Sequence, residues 1–122
     1  MRVKNISYTL VRPFVSKAAK DHVSLKDSKD TFWYGVEESD ELIGIAGLLK
    51  VKNGYRIKGV YIKPSLRGQG IGSTLTEFLI NQCDSKFAMI EAFAYNPSFY
   101  EKRGFKRYGQ LPNGAVKLRK LP

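Results

Sequence analysis

A single cysteine, Cys83, and a single histidine, His22, stand in a chain of 122 residues. One thiol cannot close an internal disulfide. Neither a cysteine-based zinc cluster nor a two-histidine metal site can be built from this set, so no metal centre is expected. No apolar run approaches the roughly 20 residues of a membrane-spanning helix. The basic start, Arg2-Val3-Lys4-Asn5, leads into no apolar signal segment. These absences predict a soluble protein in a reducing, cytoplasmic setting, with no membrane among its partners. Acidic residues are also scarce: 11 Asp plus Glu face 21 Lys plus Arg, a net charge of +10. That balance favours anionic partners such as phosphorylated cofactors, acidic surfaces or nucleic acid. The chain is too short for two full domains, a complete Rossmann enzyme, a kinase or a TIM barrel. With 43% hydrophobic and 12% aromatic residues it nevertheless has enough apolar side chain to bury a core.

What is present reads as alternating strands and helices. Ile6, Tyr8 and Leu10 alternate with polar residues and predict a strand over Ile6 to Val11. Pro13 suits a helix start, and apolar residues at three- and four-residue spacing extend that helix to about Val23. Thr31 to Glu38, Leu42 to Lys52 and Tyr55 to Lys63 read as a three-stranded meander, turning at Ser39-Asp40 and at Asn53-Gly54. Gly70 to about Asp84 is the clearest helix, with Ile71, Leu75, Phe78, Leu79 and Cys83 on one stripe. The nearly continuous apolar run Phe87 to Ala94 predicts a strand covered on both faces. Asn96 and Pro97 read as the cap and first residue of a short helix ending at Gly104. Phe105 to Tyr108 and Ala115 to Leu121 complete a hairpin across Pro112-Asn113-Gly114. The order β-α-β-β-β-α-β-α-β-β over residues 1–122 predicts one mixed α/β domain.

Arg67-Gly68-Gln69-Gly70-Ile71-Gly72-Ser73 joins the end of a strand to the start of a helix. Glycines let a ligand approach the main chain, and the free N–H groups of a first helical turn, aided by the helix dipole, suit a pyrophosphate. Arg67 adds a positive charge there. The same string also fits a plain tight loop before a capped helix. Its spacing is neither the dinucleotide-binding G-x-G-x-x-G, since position 73 is Ser, nor a P-loop.

The segment Arg67-Gly68-Gln69-Gly70-Ile71-Gly72 resembles the (Arg/Gln)-x-x-Gly-x-(Gly/Ala) acyl-CoA signature of the GNAT N-acetyltransferases. Gly59-Val60-Tyr61-Ile62-Lys63-Pro64 is similar to the strand that precedes it in that family, and Phe99-Tyr100-Glu101-Lys102-Arg103-Gly104-Phe105 to a downstream family segment. The resemblance implies a single GNAT-like acyl-CoA-binding domain. Its sheet would be mixed and mostly antiparallel, with helices on both faces. Acetyl-CoA would be the acyl donor, lying between the strand ending at Ile62 and the strand around Met89 to Phe93. Main-chain N–H groups of Arg67, Gly68, Gln69, Gly70, Ile71, Gly72 and Ser73 would hold the pyrophosphate. The main chain of Val60, Tyr61 and Ile62 would pair with the pantetheine arm and polarise the thioester carbonyl, and Tyr100 would protonate the leaving thiolate.

The chain departs from the family pattern in two places. The position seven residues before the tyrosine, often Asn, is Phe93 here. No Asp or Glu lies between Glu41 and Glu77, so the fourth strand carries no carboxylate base. Glu91, inside an apolar run, is the substitute; it reads equally as a base with a raised pKa or as half of a structural ion pair. The amine could instead arrive neutral, with no base needed. His22 reads as a helix-face residue and Cys83 as core.

The expected activity is therefore acyl-CoA-dependent N-acyl transfer to an amine, by direct attack in a ternary complex, in a monomer or homodimer. Six basic and no acidic residues between Leu42 and Thr76, and seven basic and no acidic between Lys102 and Lys120, keep two alternatives open. One is a protein of this fold that modifies or binds nucleic acid through its basic surface. The other is a CoA-binding or interaction module without catalysis. The acceptor is not named by any residue pattern.

Overall fold

A computed structural model describes residues 2–83 and 88–122. β1 (Arg2–Ile6) is followed by two short helices, α1 (Tyr8–Val11) and α2 (Val15–Lys20), joined by a 3₁₀ turn at Arg12–Phe14. The meander β2 (Thr31–Glu38), β3 (Glu41–Val51) and β4 (Gly54–Ile62) comes next. Then follow α3 (Ile71–Gln82), β5 (Met89–Ala94), the single-turn α4 (Ser98–Glu101), β6 (Lys106–Gln110) and β7 (Val116–Lys120). The strands form one seven-stranded sheet in the order β1-β2-β3-β4-β5-β7-β6. Every neighbouring pair is antiparallel except β4 with β5. The fold is thus a mixed, mostly antiparallel sheet with helices on both faces, as expected.

Two cores hold it together. On one face the α3 stripe of Ile71, Leu75 and Leu79 packs onto Val36, Leu48, Ile57, Ile90, Ala92 and Leu118, with Tyr100 and Phe105 closing the far end. Each such side chain removed from water contributes about 1.5–3 kcal/mol. On the other face Val11, Ala18 and Leu25 cover Trp33, Ile45 and Tyr61. This second core spans only the β1–β4 half of the sheet. Among the described residues the β5–β7–β6 half carries no helix on that side, and its strands present Glu91, Phe93, Lys117 and Arg119 there.

The amino terminus corrects the expected strand over Ile6 to Val11. Pairing runs from Arg2 opposite Glu37 to Ile6 opposite Trp33, and the chain then turns helical. Tyr8 and Val11, three apart, share the inward side of that helix. The Tyr8 hydroxyl donates to the Leu25 carbonyl at 2.7 Å, Val11 is fully buried and Leu10 is left exposed. A three-residue alternation and a one-turn helix are the same pattern at this length, and tertiary burial decided between them. The helix expected from Pro13 to Val23 is likewise shorter. It stops at Lys20 because His22 turns left-handed, φ 61°, and the N–H groups of Asp21, His22 and Val23 bond back to Ala18 and Ala19. The helix end expected near Asp84 and the strand start expected at Phe87 lie outside the described residues.

Candidate active site

β4 and β5 run side by side only from Gly54 opposite Met89 to Ile57 opposite Ala92. Beyond that point they part. On the β3 side of β4, the register shifts between Ile45 and Gly47, so one β3 residue faces two on β4. Gly59 takes φ +64° at this bulge, and a Cβ there would sit 2.9 Å from the Ser24 carbonyl. A bulge bends its strand and flips the side chains beyond it. Lys58 therefore lies over Trp33, whereas Val60 and Ile62 turn to the α3 core. The bent stretch of β4 facing β5 has main-chain groups without a strand partner, and through this opening runs a cleft of about 720 Å³. That size suits a ligand-binding cleft.

One end of the cleft is the glycine-rich turn. After a 3₁₀ turn at Pro64–Leu66 the chain passes Gly68 and Gly70, both at φ +83°, a backbone that side-chain-bearing residues rarely adopt. Gly70 caps α3, no side chain caps the helix, and the first helical bond is Thr74 N–H to the Gly70 carbonyl at 3.0 Å. The N–H groups of Ile71, Gly72 and Ser73 are thus left over at the positive end of a 12-residue helix. Gly72, set against Ile62, and Ser73 line the cleft. Gln69 is exposed on the turn. Arg67 is placed differently from the expectation of a cation facing the ligand. Its Nε donates to the Ile62 carbonyl at 2.9 Å, its Nη2 to Asp21 at 2.8 Å, and its guanidinium lies 5.4 Å from the Tyr61 ring centre. Its charge is paired with Asp21, and it ties the end of β4 to α2. The anion-binding groups that the turn offers are main-chain N–H groups.

Tyr100 on α4 lines the same cleft. Its ring is gripped edge-on by Phe99 and Phe105, at 5.2 and 5.3 Å between centroids, and the residue is only 9% exposed. Burial pushes its phenol up to about 12, against the opposing pull of a hydrogen bond with Thr76 and the charge of Arg103. The hydroxyl therefore keeps its proton at neutral pH, beside the Thr76 that lines the cleft from α3. Gly104, at φ +90°, ends α4 as expected, and Phe105 N–H bonds back to the Tyr100 carbonyl at 3.1 Å.

Glu91 is buried, and both its oxygens are held. Arg56 Nε donates to one at 2.6 Å, and the Tyr108 hydroxyl to the other at 2.7 Å. It does not line the cleft; Arg56 does. Of the two sequence readings of Glu91, the ion pair is the one the structure forms. Val60 lines the cleft, while Tyr61 is buried in the second core. Asn96 does not cap α4. Pro97 holds that position, and Asn96 instead accepts from the Ser98 hydroxyl at 2.9 Å. His22 lies past the end of α2, on the cleft wall rather than a helix face. Cys83 is core, its thiol pushed up to about 11 by burial.

Arg56, Lys58 and Thr76 are cleft residues to which sequence reasoning assigned no role. Arg56 and Lys58 carried one signal, cations at alternate positions of a strand. Nothing in the chain links Thr76 to Tyr100 before the helices pack. Among the described residues no group of three His, Cys, Asp or Glu could hold a metal ion. No helix there is long and apolar enough to cross a membrane.

A strand splay closed by a glycine-rich helix start defines the acyl-CoA transferase class of site. The family profile described as acetyltransferase (GNAT) domain matches residues 3–114, and the chain belongs to this family. A Bacillus subtilis protein, provisionally named as a ribosomal protein bS18-alanine N-acetyltransferase, is 27% identical over 123 residues, covering 96% of this chain and 82% of that one. Escherichia coli ElaA superposes with a TM-score of 0.79 at 15% identity, over 98% of this chain and 99% of that one. Rv2747 from Mycobacterium tuberculosis, solved with CoA and NLQ, superposes with a TM-score of 0.78 at 12% identity, over 100% and 99% of the two chains. The protein is a GNAT-type N-acetyltransferase with acetyl-CoA as its acyl donor.

Proposed function

We propose that this enzyme moves the acetyl group of acetyl-CoA directly onto an amine held in the same cleft. One observation carries the reading: the cleft at the β4–β5 splay is lined both by the free N–H end of α3 and by a buried, protonated tyrosine. The residues fit the cofactor. Open space surrounds Gly68 and Gly70, where a Cβ would meet nothing within 4 Å, and an unpaired strand edge follows. Acetyl-CoA, when bound, supplies the activated thioester. The free N–H groups of residues 68–73 would hold its pyrophosphate, with the Arg67 N–H already given to the Pro64 carbonyl, and the free edge at Val60, Tyr61 and Ile62 would pair with the pantetheine amides. One N–H of that edge, aimed at the thioester oxygen, is worth on the order of 10²–10³ in rate. Tyr100 gives its proton to sulfur as the carbon–sulfur bond breaks, and the new nitrogen–carbon bond releases one proton from the amine.

Glu91 acts in this reading as a positioning residue for Arg56, not as a base. No side chain serves as base: the amine enters neutral, having given its proton to water, and the proton its nitrogen loses on acylation returns through water to the Tyr100 phenolate. Arg56 and Lys58 line the cleft, no carboxylate does among the described residues, and a positive surrounding lowers the pKa of an entering amine. Lys58 shows the direction, since burial first and then its cationic neighbours pull it below the ordinary lysine value against the charge of Asp27.

Calorimetry with CoA, and mass spectrometry of an amine panel incubated with acetyl-CoA, test the proposal. Binding in the micromolar range with N-acetyl products is expected. CoA binding without transfer to any amine would leave a binding module, and no binding at high micromolar CoA defeats the reading.

A further inference from the structure

We propose that the acceptor is an amine that also carries a carboxylate, and that Arg56 receives that carboxylate at the acceptor end of the cleft. The inference rests on the acyl-transfer reading above and names its substrate class. Arg56 is held by two contacts, one of them itself anchored. Its Nε donates to Glu91 at 2.6 Å, its guanidinium lies 4.6 Å from the Phe93 ring centre, and Glu91 is itself fixed by the Tyr108 hydroxyl at 2.7 Å. Its terminal nitrogens make no hydrogen bond among the described residues, although the side chain faces the cleft. A planar fork fixed in place and left with two free donors is the geometry that takes a carboxylate in bidentate fashion.

The surroundings agree. Lys58, two residues along β4, lines the same wall, anchored by a 2.8 Å bond to the Lys26 carbonyl. Lys117 and Arg119, paired with Phe93 and Glu91 across β7, both sit over the Tyr108 ring on the same face. An amine with a second positive charge would be repelled here; one with a carboxylate is drawn in and held. Reach is set by the strand. Arg56 lies where β4 and β5 still pair, and the Gly59–Val60 bulge is three to four residues on, about 10–13 Å of extended chain. The long Arg56 side chain covers part of this distance, and an amino acid or a short peptide with a free carboxyl has to span only the remainder.

The test compares alanine, glutamate and alanyl-alanine with their C-terminal amides, as acceptors for acetyl-CoA and the intact protein. A kcat/KM at least about tenfold higher for the acids, expressed in KM, is expected. Arg56→Gln is expected to bring acid and amide within about threefold of each other, and Arg56→Lys to restore part of the gap. Lys58→Gln leaves the Glu91 pair intact and guards against a folding defect; it should narrow the gap without closing it. CoA affinity, measured separately by calorimetry, is expected to fall by no more than about threefold in any of the three. Amides turned over as well as acids, a preference that survives Arg56→Gln, or no acid acetylated although CoA binds would each overturn the proposal. So would turnover confined to amines on a polynucleotide. Loss of CoA binding in the wild type would instead sink the underlying reading, and the acceptor proposal with it.

Discussion

Tyr100 combines a polar task with an apolar setting. Its hydroxyl faces Thr76, and its ring is packed by Phe99 and Phe105. Tyr100→Phe keeps the ring and removes only the proton. CoA affinity is expected to hold within about twofold while turnover falls about 10²–10⁴-fold, read from calorimetry and CoA release. The same variant has a stability signature. The phenol, raised from 10.0 to about 12, binds its proton more tightly folded than unfolded. Its stabilising contribution is therefore complete below pH 10 and lost as the pH climbs through about 12. Alkaline unfolding followed by circular dichroism should be steeper over that window in the wild type than in the variant. Glu91→Gln asks a different question. The amide cannot balance Arg56, and the loss is expected to cost about 1–3 kcal/mol in denaturant unfolding. Acceptor KM is expected to rise while kcat and the shape of the pH–rate profile stay. Collapse of kcat together with loss of the acid limb would restore Glu91 as the base.

At the scale of elements, the turn from β4 into α3 was legible because everything that makes it is local. The glycines at 68 and 70 sit where the chain takes φ +83°, and the Ile71, Leu75, Leu79 stripe falls on the buried side of α3. Gly70→Ala places a Cβ in empty space, so its cost is conformational, about 1–2 kcal/mol, with no clash added. If the N–H groups of this turn hold the pyrophosphate, CoA affinity should fall by more than that stability loss explains, since the donors themselves move. A variant that loses stability but keeps its CoA affinity would take the turn out of the site. Gly54 is the opposite case: a Cβ there would overlap the Met89 backbone, so that glycine sets how closely β4 and β5 approach before they part. The splay itself was not legible from residue patterns, and entered the expectation only through family resemblance. It is a failure to pair, and apolar runs such as the one ending at Ala94 predict strands, not where their ladders stop. Ile6 to Val11 was misplaced for a related reason. Its side chains suit a strand or a helical turn, and only their burial against Trp33 and Leu25 separates the two. Glu91 with Arg56 and Tyr108 is longer-range still: 35 and 17 residues separate the partners.

Across the whole molecule the charge of +10 is unevenly spent. Lys4, Lys63, Arg67, Arg103 and Arg107 pair with Glu37, Glu41, Asp21, Glu77 and Glu101 on strand ends and helix flanks. Such exposed pairs add little stability. Lys58, Lys106, Lys117 and Arg119 have no acidic partner among the described residues, and all lie on strands from β4 to β6. Lys58, Lys117 and Arg119 thus add positive field beside Arg56 at the cleft wall. Such a field speeds capture of an anionic ligand, and salt erases it as the screening length falls from about 10 Å at 0.1 M to about 3 Å at 1 M. CoA association followed by stopped flow is accordingly expected to slow about tenfold over that range, with dissociation changing far less because the contacts in the turn are short. RNA retention separates this use of the charge from docking of a polymer. If the basic strands serve a nucleic acid, retention should fall steeply with the logarithm of salt and compete with acceptor turnover. An association rate indifferent to salt, combined with steep release from RNA, would reassign the bare half of the sheet from small anions to a polynucleotide.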